Sequence, residues 1–247
     1  MLRKGLVIYT PKGRAGEYAP MAVNLYRGCG HGCTAYCFAP KASFMDPEEF
    51  VKPVPRPAIL DRLERDAPIA AKTYEGEDKR VLLCFTCDPY QPLDEIHALT
   101  RQAIVILHAN GFAVNILTKG GERAERDFDL YQPGDEFATT LTFLDDAKSQ
   151  LWEPFAALPG ERIATVLKAH LRGITTWVSL EPVIDPAESL EIIRETHTFV
   201  DLFKVGKLNH HPLAEEIDWH KFAKDSIIVL EQYGCRYYMK RDLRVYL

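Results

Sequence analysis

Six short apolar runs, rich in β-branched and aromatic residues, recur along the chain, and each is followed by a segment with helical spacing. The runs cover 21–26, 81–86, 112–118, 137–143, 175–184 and 200–206. Because they are nearly continuous in apolar residues, they are typical of strands that a parallel sheet buries on both faces. Strands that alternate with helices at this spacing predict βαβ units and an α/β fold.

The helices between these runs carry start and stop signals. Apolar residues keep helical spacing from Ile96 to Leu107, and the glycines at 111, 173 and 234 are predicted to end three helices. Asp185-Pro186 followed by Glu188 predicts an N-cap, a proline in the first turn and a capping box. Asp218 is predicted to cap the last of these helices.

Six strand and helix units are too few to close an eight-stranded barrel. We therefore predict a partial, open β/α barrel of about six parallel strands, with a flavodoxin-like open sheet as the alternative. A chain of 247 residues of this class forms one domain, so residues 1–247 are predicted to be a single domain. The five prolines in 40–57 indicate a long excursion over the sheet rather than a linker.

The bulk properties of the chain argue against several functions. A net charge of -5 gives no general attraction to nucleic acid. No run of about 18 apolar residues predicts a membrane span, and the first residues lack the apolar stretch of a secretory signal. A cytoplasmic location is expected, where six cysteines indicate metal-binding, catalytic or buried thiols rather than disulfides.

Three of these cysteines lie in a glycine-rich loop directly after the first strand. Cys29, Cys33 and Cys37 fall within nine residues, at the strand end where open α/β sheets bind ligands. Three thiolates can hold three irons of a cubane cluster and leave the fourth iron open to a small molecule. The alternative is a zinc site completed by His31 or a distant cysteine. Tyr36 and Phe38 are expected to shield the site from water.

The loop resembles the cysteine motif of the radical S-adenosylmethionine superfamily, in the branch related to spore photoproduct lyase. Ala35 is an extra residue in that motif, which changes the spacing to C-x3-C-x3-C. Further stretches similar to this branch cover most of the chain: 87–92, 117–119, 179–182, 206–209 and 240–243. Nearly all of them follow a predicted strand, at the sheet edge where barrel enzymes build their sites.

The resemblance implies an enzyme that binds a [4Fe-4S] cluster and S-adenosylmethionine, with a lyase reaction expected by analogy with the namesake. Such an enzyme cleaves S-adenosylmethionine reductively, and the resulting 5′-deoxyadenosyl radical abstracts hydrogen from a substrate, which here is unknown. An electron donor such as flavodoxin or ferredoxin would supply the electron. The cofactor carries the difficult chemistry, and the protein positions it and excludes water.

Several residues at the predicted strand ends are candidates for this site. Asp88 is expected to bind the cofactor's amine, and Lys119 its carboxylate with help from Thr118. Glu181 interrupts an apolar strand and is expected to face a ligand, as a cofactor-binding or catalytic residue. Substrate-side candidates are Lys207 and Asn209, whereas the adjacent His210 and His211 are not expected to be ligands.

The remaining cysteines are expected to play different parts. Cys87 is a candidate catalytic residue, as a hydrogen-atom donor to a substrate radical, while Cys84 and Cys235 are predicted to be core residues. Cys84 and Cys87 form a C-x2-C pair, but residues three apart on a strand point to opposite faces. A second metal site is therefore not expected unless the strand ends between them.

Two other functions remain open. A DNA photoproduct lyase would need to flip out a lesion base, and a basic stripe near the mouth would favour it. Candidates for such a stripe are Lys207, Lys240, Arg241 and Arg244. A non-catalytic metal-binding module is the second alternative, with Ala35 as a sign that the radical chemistry has been lost.

Overall fold

The computed structural model describes Leu2 and residues 5–247. In this part of the chain the strands are β1 (Met21–Val23), β2 (Tyr26–Arg27), β3 (Val54–Pro55), β4 (Arg80–Leu83), β5 (Ala113–Thr118), β6 (Glu136–Thr140), β7 (Thr175–Leu180), β8 (Leu202–Val205) and β9 (Tyr237–Met239). Seven of them form a parallel sheet in the order β1-β4-β5-β6-β7-β8-β9. Strands β2 and β3 form a separate antiparallel pair.

The predicted α/β class and the open parallel sheet are confirmed. The order of the strands follows the chain, and β1 and β9 lie at opposite edges of the sheet. The sequence analysis predicted six strands and missed β9. This strand has only three residues between polar neighbours, so it lacks the long apolar run from which the other strands were predicted. The first predicted run divides in two, because Val23 ends β1 and Tyr26 begins β2.

Helices cover the sheet between its strands. They are α1 (Ala39–Ala42), α2 (Pro47–Phe50), α3 (Ile59–Thr73), α4 (Pro92–His97), α5 (Leu99–Ala109), α6 (Asp146–Trp152), α7 (Pro159–Leu171), α8 (Pro186–Thr196), α9 (Trp219–Gln232) and α10 (Arg241–Arg244). Three 3-10 helices cover Gly13–Glu17, Gly121–Leu130 and Pro212–Glu215. None of the helices described is long and apolar enough to cross a membrane.

Most of the predicted helix signals are confirmed. The three predicted stop glycines all have positive φ, and the Asp218 side chain accepts a hydrogen bond from Lys221 N. The helix predicted from 96 to 107 is split, because Ala98 adopts a left-handed conformation between α4 and α5. Asp185 caps α8, but the predicted capping box is incomplete: Glu188 instead accepts from Leu144 N at 2.7 Å.

Apolar side chains fill both faces of the sheet. Leu83, Ile116 and Phe137 are fully buried at paired positions on β4, β5 and β6. Burying one such side chain contributes about 1.5–3 kcal/mol, so the sheet is a rigid platform. Its carboxyl edge is where the polar side chains collect.

Candidate active site

A cavity of about 330 Å³ opens at the carboxyl ends of the parallel strands. Every site residue predicted from the sequence lines it: Cys29, Cys33, Tyr36, Cys37, Phe38, Cys87, Asp88, Thr118, Lys119, Glu181, Lys207 and Asn209. The structure therefore brings the predicted set together from the cysteine loop and the ends of four strands of the sheet. What each side chain does there depends on its neighbours.

The cysteine loop is anchored tightly at its start. Gly28 has a φ of 87°, and a Cβ at this position would lie 2.5 Å from Phe50 O. Cys29 N also donates to Phe50 O at 2.8 Å. The loop therefore depends on glycine here, since any other side chain would collide with the backbone of α2.

The extra residue of the loop points away from the cavity. Ala35 is exposed, in a turn after which Cys37 N donates to Cys33 O at 3.1 Å. Cys37 still lines the cavity with the other two cysteines. The loop accommodates the longer spacing on its outer side.

The three cysteines are partly buried. Burial raises the pKa of Cys29, Cys33 and Cys37, and for Cys33 the pKa reaches about 12. Free thiols with such pKa values are protonated at neutral pH. A metal that binds them must therefore displace a proton from each, which couples binding to pH.

Asp88 holds the cysteine loop against the ends of β4 and β5. Its Oδ1 accepts from Thr118 Oγ1 at 2.6 Å and from Tyr90 N at 2.8 Å. Its Oδ2 accepts from Lys119 N at 2.8 Å and lies 3.2 Å from His31 Nε2. These four contacts occupy the acceptor positions of a carboxylate, which is the usual limit for its two oxygens.

The charge of Asp88 is stabilised by the same contacts. Burial raises the pKa of Asp88, but His31, Thr118 and the Lys119 amide outweigh it and hold the pKa well below its usual range. The other ring nitrogen of His31 lies 3.2 Å from Phe155 O. His31 Nδ1 thus lies close to a backbone carbonyl and Nε2 lies within ion-pair distance of a carboxylate, which does not support the alternative in which His31 completes a zinc site.

Glu153 is a central residue of the site that the sequence analysis missed. It is 1% exposed, and its carboxylate accepts from Tyr36 and, at 2.9 Å, from Thr142 Oγ1. Arg162 Nη2 lies 2.6 Å from its Oε2, and Lys119 Nζ lies 3.5 Å from its Oε1. Glu153 follows the short helix α6 with no motif around it, so only its burial identifies it.

Lys119 therefore lines the cavity while its ammonium pairs with Glu153. Burial lowers the pKa of Lys119, but Glu153 and Cys33 outweigh this effect and leave the pKa raised. The ammonium lies 5.3 Å from the centre of the Tyr36 ring. It carries a positive charge next to the cysteine loop, as the predicted contact with a carboxylate requires.

Glu181 lies at the opposite end of the cavity in a second buried network. Its Oε2 accepts from Tyr18 OH at 2.9 Å and from Lys240, which is 2% exposed. Burial, and next the Glu181 carboxylate, raise the pKa of Tyr18 well above its usual value. About 20% of the Glu181 side chain remains accessible, and its contact with a ligand stays a prediction.

Gly206 makes room for Glu181. A Cβ at position 206 would lie 2.8 Å from Glu181 Cδ and 3.0 Å from its Cβ and Cγ. Because Tyr18 and Lys240 hold the Glu181 side chain, it cannot easily move away. We expect Gly206→Ala to lower the free energy of unfolding by about 1–3 kcal/mol in urea titrations.

Gly160, in α7, is the matched control for this prediction. Apart from its chain neighbours and the backbone of its own helix, no described atom lies within 4 Å of a Cβ at that position. Gly160→Ala should leave stability unchanged or raise it by up to about 1 kcal/mol. Equal stability of the two variants would mean that Glu181 is free to move.

The side chains of the two predicted substrate-side residues also form hydrogen bonds within the protein. Lys207 Nζ donates to Tyr246 OH at 3.0 Å, and Asn209 Nδ2 donates to Asp242 Oδ2 at 2.7 Å. Asp242 also pairs with Arg14 at 2.6 Å. The C-terminal segment thus shapes this end of the cavity.

One sequence-based expectation needs correction. Phe38 is 44% exposed and packs on Phe85 at 5.2 Å between ring centres, so it does not seal the cavity as Tyr36 does. Cys84 is buried in the core, as predicted, and it also lines the cavity with Cys87. Strand β4 ends at Leu83, and the rule of opposite faces therefore does not apply beyond it.

The residues present fit an iron–sulfur cluster. Three thiols stand around the wall of one cavity, which is the donor set that a cubane with one open iron requires. Gln91, which accepts from Gly30 N at 2.8 Å, has a buried Nε2 without a described acceptor beside the loop. Among the described residues, no three Cys, His, Asp or Glu side chains are grouped as ligands of a single ion.

No protein-family model matches the chain, and no curated protein matches it. Its fold is similar to that of spore photoproduct lyase complexed with dinucleoside spore photoproduct, with 17% identity, a TM-score of 0.72, and 97% of this chain and 80% of that chain covered. A doubly substituted spore photoproduct lyase with bound AdoMet and dinucleoside spore photoproduct gives 16% identity and a TM-score of 0.73 over the same shares.

A second protein shares part of this fold. Streptococcus suis SuiB bound to S-adenosylmethionine is 11% identical over 65% of this chain and 39% of that chain, with a TM-score of 0.50. The chain therefore shares its fold with spore photoproduct lyase, in line with the resemblance of the sequence motifs, and part of it with SuiB.

Proposed function

We propose that the chain is a radical S-adenosylmethionine enzyme whose Cys29, Cys33 and Cys37 hold a [4Fe-4S] cluster. The observation that carries the proposal is the convergence of these three thiols on one cavity, at the carboxyl edge of this fold. When bound, the cluster and S-adenosylmethionine supply a one-electron cleavage that yields a hydrogen-abstracting radical. The substrate is unassigned, and a flavodoxin or ferredoxin would be a suitable electron donor.

The protein's own residues hold the site rigid and charged. Glu153 orients Tyr36 and Lys119 on one side, and the Lys119 ammonium is available to a cofactor carboxylate. Asp88 orients Thr118 and the backbone of Lys119 on the other side. With its acceptor positions occupied, Asp88 serves better to hold these groups in place than to bind an amine directly.

The acidic Glu181 is the better partner for a positively charged group. Lys240 and Tyr18, which belong to the cavity wall, contact the Glu181 carboxylate, and part of the Glu181 side chain stays accessible. A carboxylate that is fixed by two donors keeps its position when a ligand arrives. We assign Glu181 to ligand binding at the end of the cavity formed by β7 and β8.

Damaged DNA is less well supported as a substrate. The basic stripe that would favour it is interrupted at Lys240, which is buried against Glu181. Arg241 and Arg244 remain exposed. The similar spore photoproduct lyase structure contains a dinucleoside spore photoproduct. A small nucleoside substrate is therefore one of the ligands to test.

The test is anaerobic reconstitution of the wild-type chain with iron and sulfide. Electron paramagnetic resonance of the reduced protein should show a cubane signal that shifts when S-adenosylmethionine is added. Chromatography should detect 5′-deoxyadenosine formed from S-adenosylmethionine only with reductant. Zinc in place of iron, or a cluster indifferent to S-adenosylmethionine, would support the non-catalytic module instead.

A further inference from the structure

The ammonium of Lys207 differs from the other cations in the wall of the cavity. Four lysine and arginine side chains line this wall. Three of them pair with carboxylates: Arg14 with Asp242, Lys119 with Glu153 and Lys240 with Glu181. No carboxylate of the described residues lies within ion-pair distance of Lys207, so the protein does not neutralise its charge.

Neutral groups hold the Lys207 side chain in place. Its Nζ donates to Tyr246 OH at 3.0 Å and lies 5.0 Å from the ring centre of Trp219 and 4.8 Å from that of Tyr246. Aromatic faces attract a cation without cancelling its charge. An ammonium has three N–H donors, and one of those of Lys207 has a described acceptor. The group therefore keeps both charge and hydrogen-bonding capacity for a ligand.

The position of Lys207 in the fold makes this charge effective. It follows β8 directly, where Gly206 N donates to Leu180 O at 3.0 Å and fixes the strand end against β7. Lys207 is only partly exposed, and Trp219 beside it is buried. Charges that are partly shielded from water act more strongly on a ligand than fully solvated ones. An anion in the cavity would therefore gain more from Lys207 than from a lysine on the open surface.

Aromatic side chains form another part of the same cavity wall. Phe38, Phe85 and Tyr18 all line the cavity. The ring centres of Phe38 and Phe85 are 5.2 Å apart, and those of Tyr18 and Phe85 are 6.1 Å apart. Neighbouring rings at such distances present a continuous apolar surface on which a flat ring of a ligand can pack. The cavity thus combines an aromatic surface with a cation that lacks a counter-ion.

We infer that the substrate is an aromatic oxyanion, a flat molecule that bears a phosphate or carboxylate group, and that Lys207 binds this group. The substrate meant here is that of the proposed radical enzyme, so the inference rests on the proposed function. A lysine acts on an oxyanion as a point charge, and it therefore accepts either group. The contact assigned to Glu181 does not compete for the oxyanion, because Glu181 is itself a carboxylate.

The first test uses the chain reconstituted with iron and sulfide, in the presence of S-adenosylmethionine and without reductant. Titration calorimetry compares probes that share a phenyl ring and differ in charge: phenyl phosphate, benzoate, benzyl alcohol and benzylamine. Lys207→Met removes the charge and keeps an unbranched side chain beside Trp219. Lys224→Met is the matched control, because Lys224 is exposed on α9 and is not part of the cavity wall.

Phenyl phosphate, benzoate or both should bind about tenfold more tightly than benzyl alcohol, because a hydrogen bond to a charged group contributes at least this much. Lys207→Met should lose this preference, and Lys224→Met should keep it. The anion that binds more tightly identifies the group on the substrate. Equal binding of anions and alcohol, tightest binding of benzylamine, or a preference that survives Lys207→Met would overturn the inference. Iron content and 5′-deoxyadenosine are measured on the same preparation, so a failure of the proposed function is seen separately.

The wild-type chain provides a second measurement in case Lys207→Met does not fold. Lysines are acetylated with a trace of acetic anhydride, and mass spectrometry of the peptides compares Lys207 with Lys224. The preferred anionic probe should reduce acetylation of Lys207 and leave that of Lys224 unchanged. S-adenosylmethionine should protect Lys119, as the proposed function requires. Protection of Lys207 by S-adenosylmethionine alone would assign Lys207 to the cofactor, and this result, or equal acetylation with and without the anion, would contradict the inference.

Discussion

Cys37→Ala is expected to abolish cluster binding, with iron and sulfide after reconstitution falling to background and no 5′-deoxyadenosine formed. The physical reason is that a cubane with three protein ligands loses the only protein ligand of one iron. Cys37 is the ligand on the far side of the extra Ala35, so this variant also tests whether the longer loop still uses it. Iron, sulfide and the paramagnetic signal of the reduced protein are the measurements.

Cys235→Ala is the matched control for this loss. Cys235 lies between α9 and β9, and it is not part of the cavity wall. Its removal should leave iron content and 5′-deoxyadenosine formation at the wild-type level. If Cys37→Ala keeps the same iron as Cys235→Ala, the third cysteine is not a ligand and the proposed function is wrong.

Glu153→Ala is expected to lower the free energy of unfolding by about 3–5 kcal/mol, because it leaves buried cations without their partner. Arg162 is 1% exposed, and Glu153 is the carboxylate with which it pairs. Lys119 loses the same carboxylate, and Tyr36 loses its acceptor beside Cys37. We therefore also expect poorer iron incorporation, measured after the stability loss has been determined by urea unfolding.

An exposed carboxylate, Glu191, is the control for this prediction, because its loss removes an ion pair that is not buried. Glu191 pairs with Arg194 at 2.9 Å, and its side chain is 49% exposed. Glu191→Ala should change the free energy of unfolding by less than about 1 kcal/mol and leave iron incorporation unchanged. Similar losses in the two variants would show that the Glu153 network does not support the site.

The same network predicts how stability depends on pH. Burial raises the pKa of Glu153, but Lys119, Arg162 and Tyr36 outweigh it and lower the pKa from 4.5 to about 2. Because the folded pKa lies below the unfolded one, the stabilisation is complete above pH 4.5 and is lost as the pH falls towards 2. Glu153→Gln should therefore flatten the fall in unfolding free energy across this window, and an unchanged slope would contradict the assignment.

Much of the fold was predictable because its signals are local. Continuous apolar runs indicate strands that are buried on both faces, and helical spacing between them implies parallel crossovers. Parallel strands present their carboxyl ends at one edge, so polar residues that follow different strands were expected to meet there. Cys29, Asp88, Lys119 and Glu181 meet at that edge for this reason.

The partners of these residues were not predictable, because burial pairs positions that are distant in the chain. Glu153 contacts Tyr36 across 117 positions, and Lys240 contacts Tyr18 across 222. No local pattern marks a carboxylate whose role is to neutralise a buried cation. The same applies to β9, which has too few apolar residues to be recognised until β8 provides a neighbour.

The order of residues alone therefore specified the parallel α/β class, the cysteine loop and the edge of the sheet that carries the site, because periodicity and ligand spacing are properties of neighbouring positions. Tertiary packing decided which of those residues are free to act. It engaged both oxygens of Asp88 with neighbouring donors. Desolvation and close contact depend on the whole fold, and no local stretch of sequence determines them.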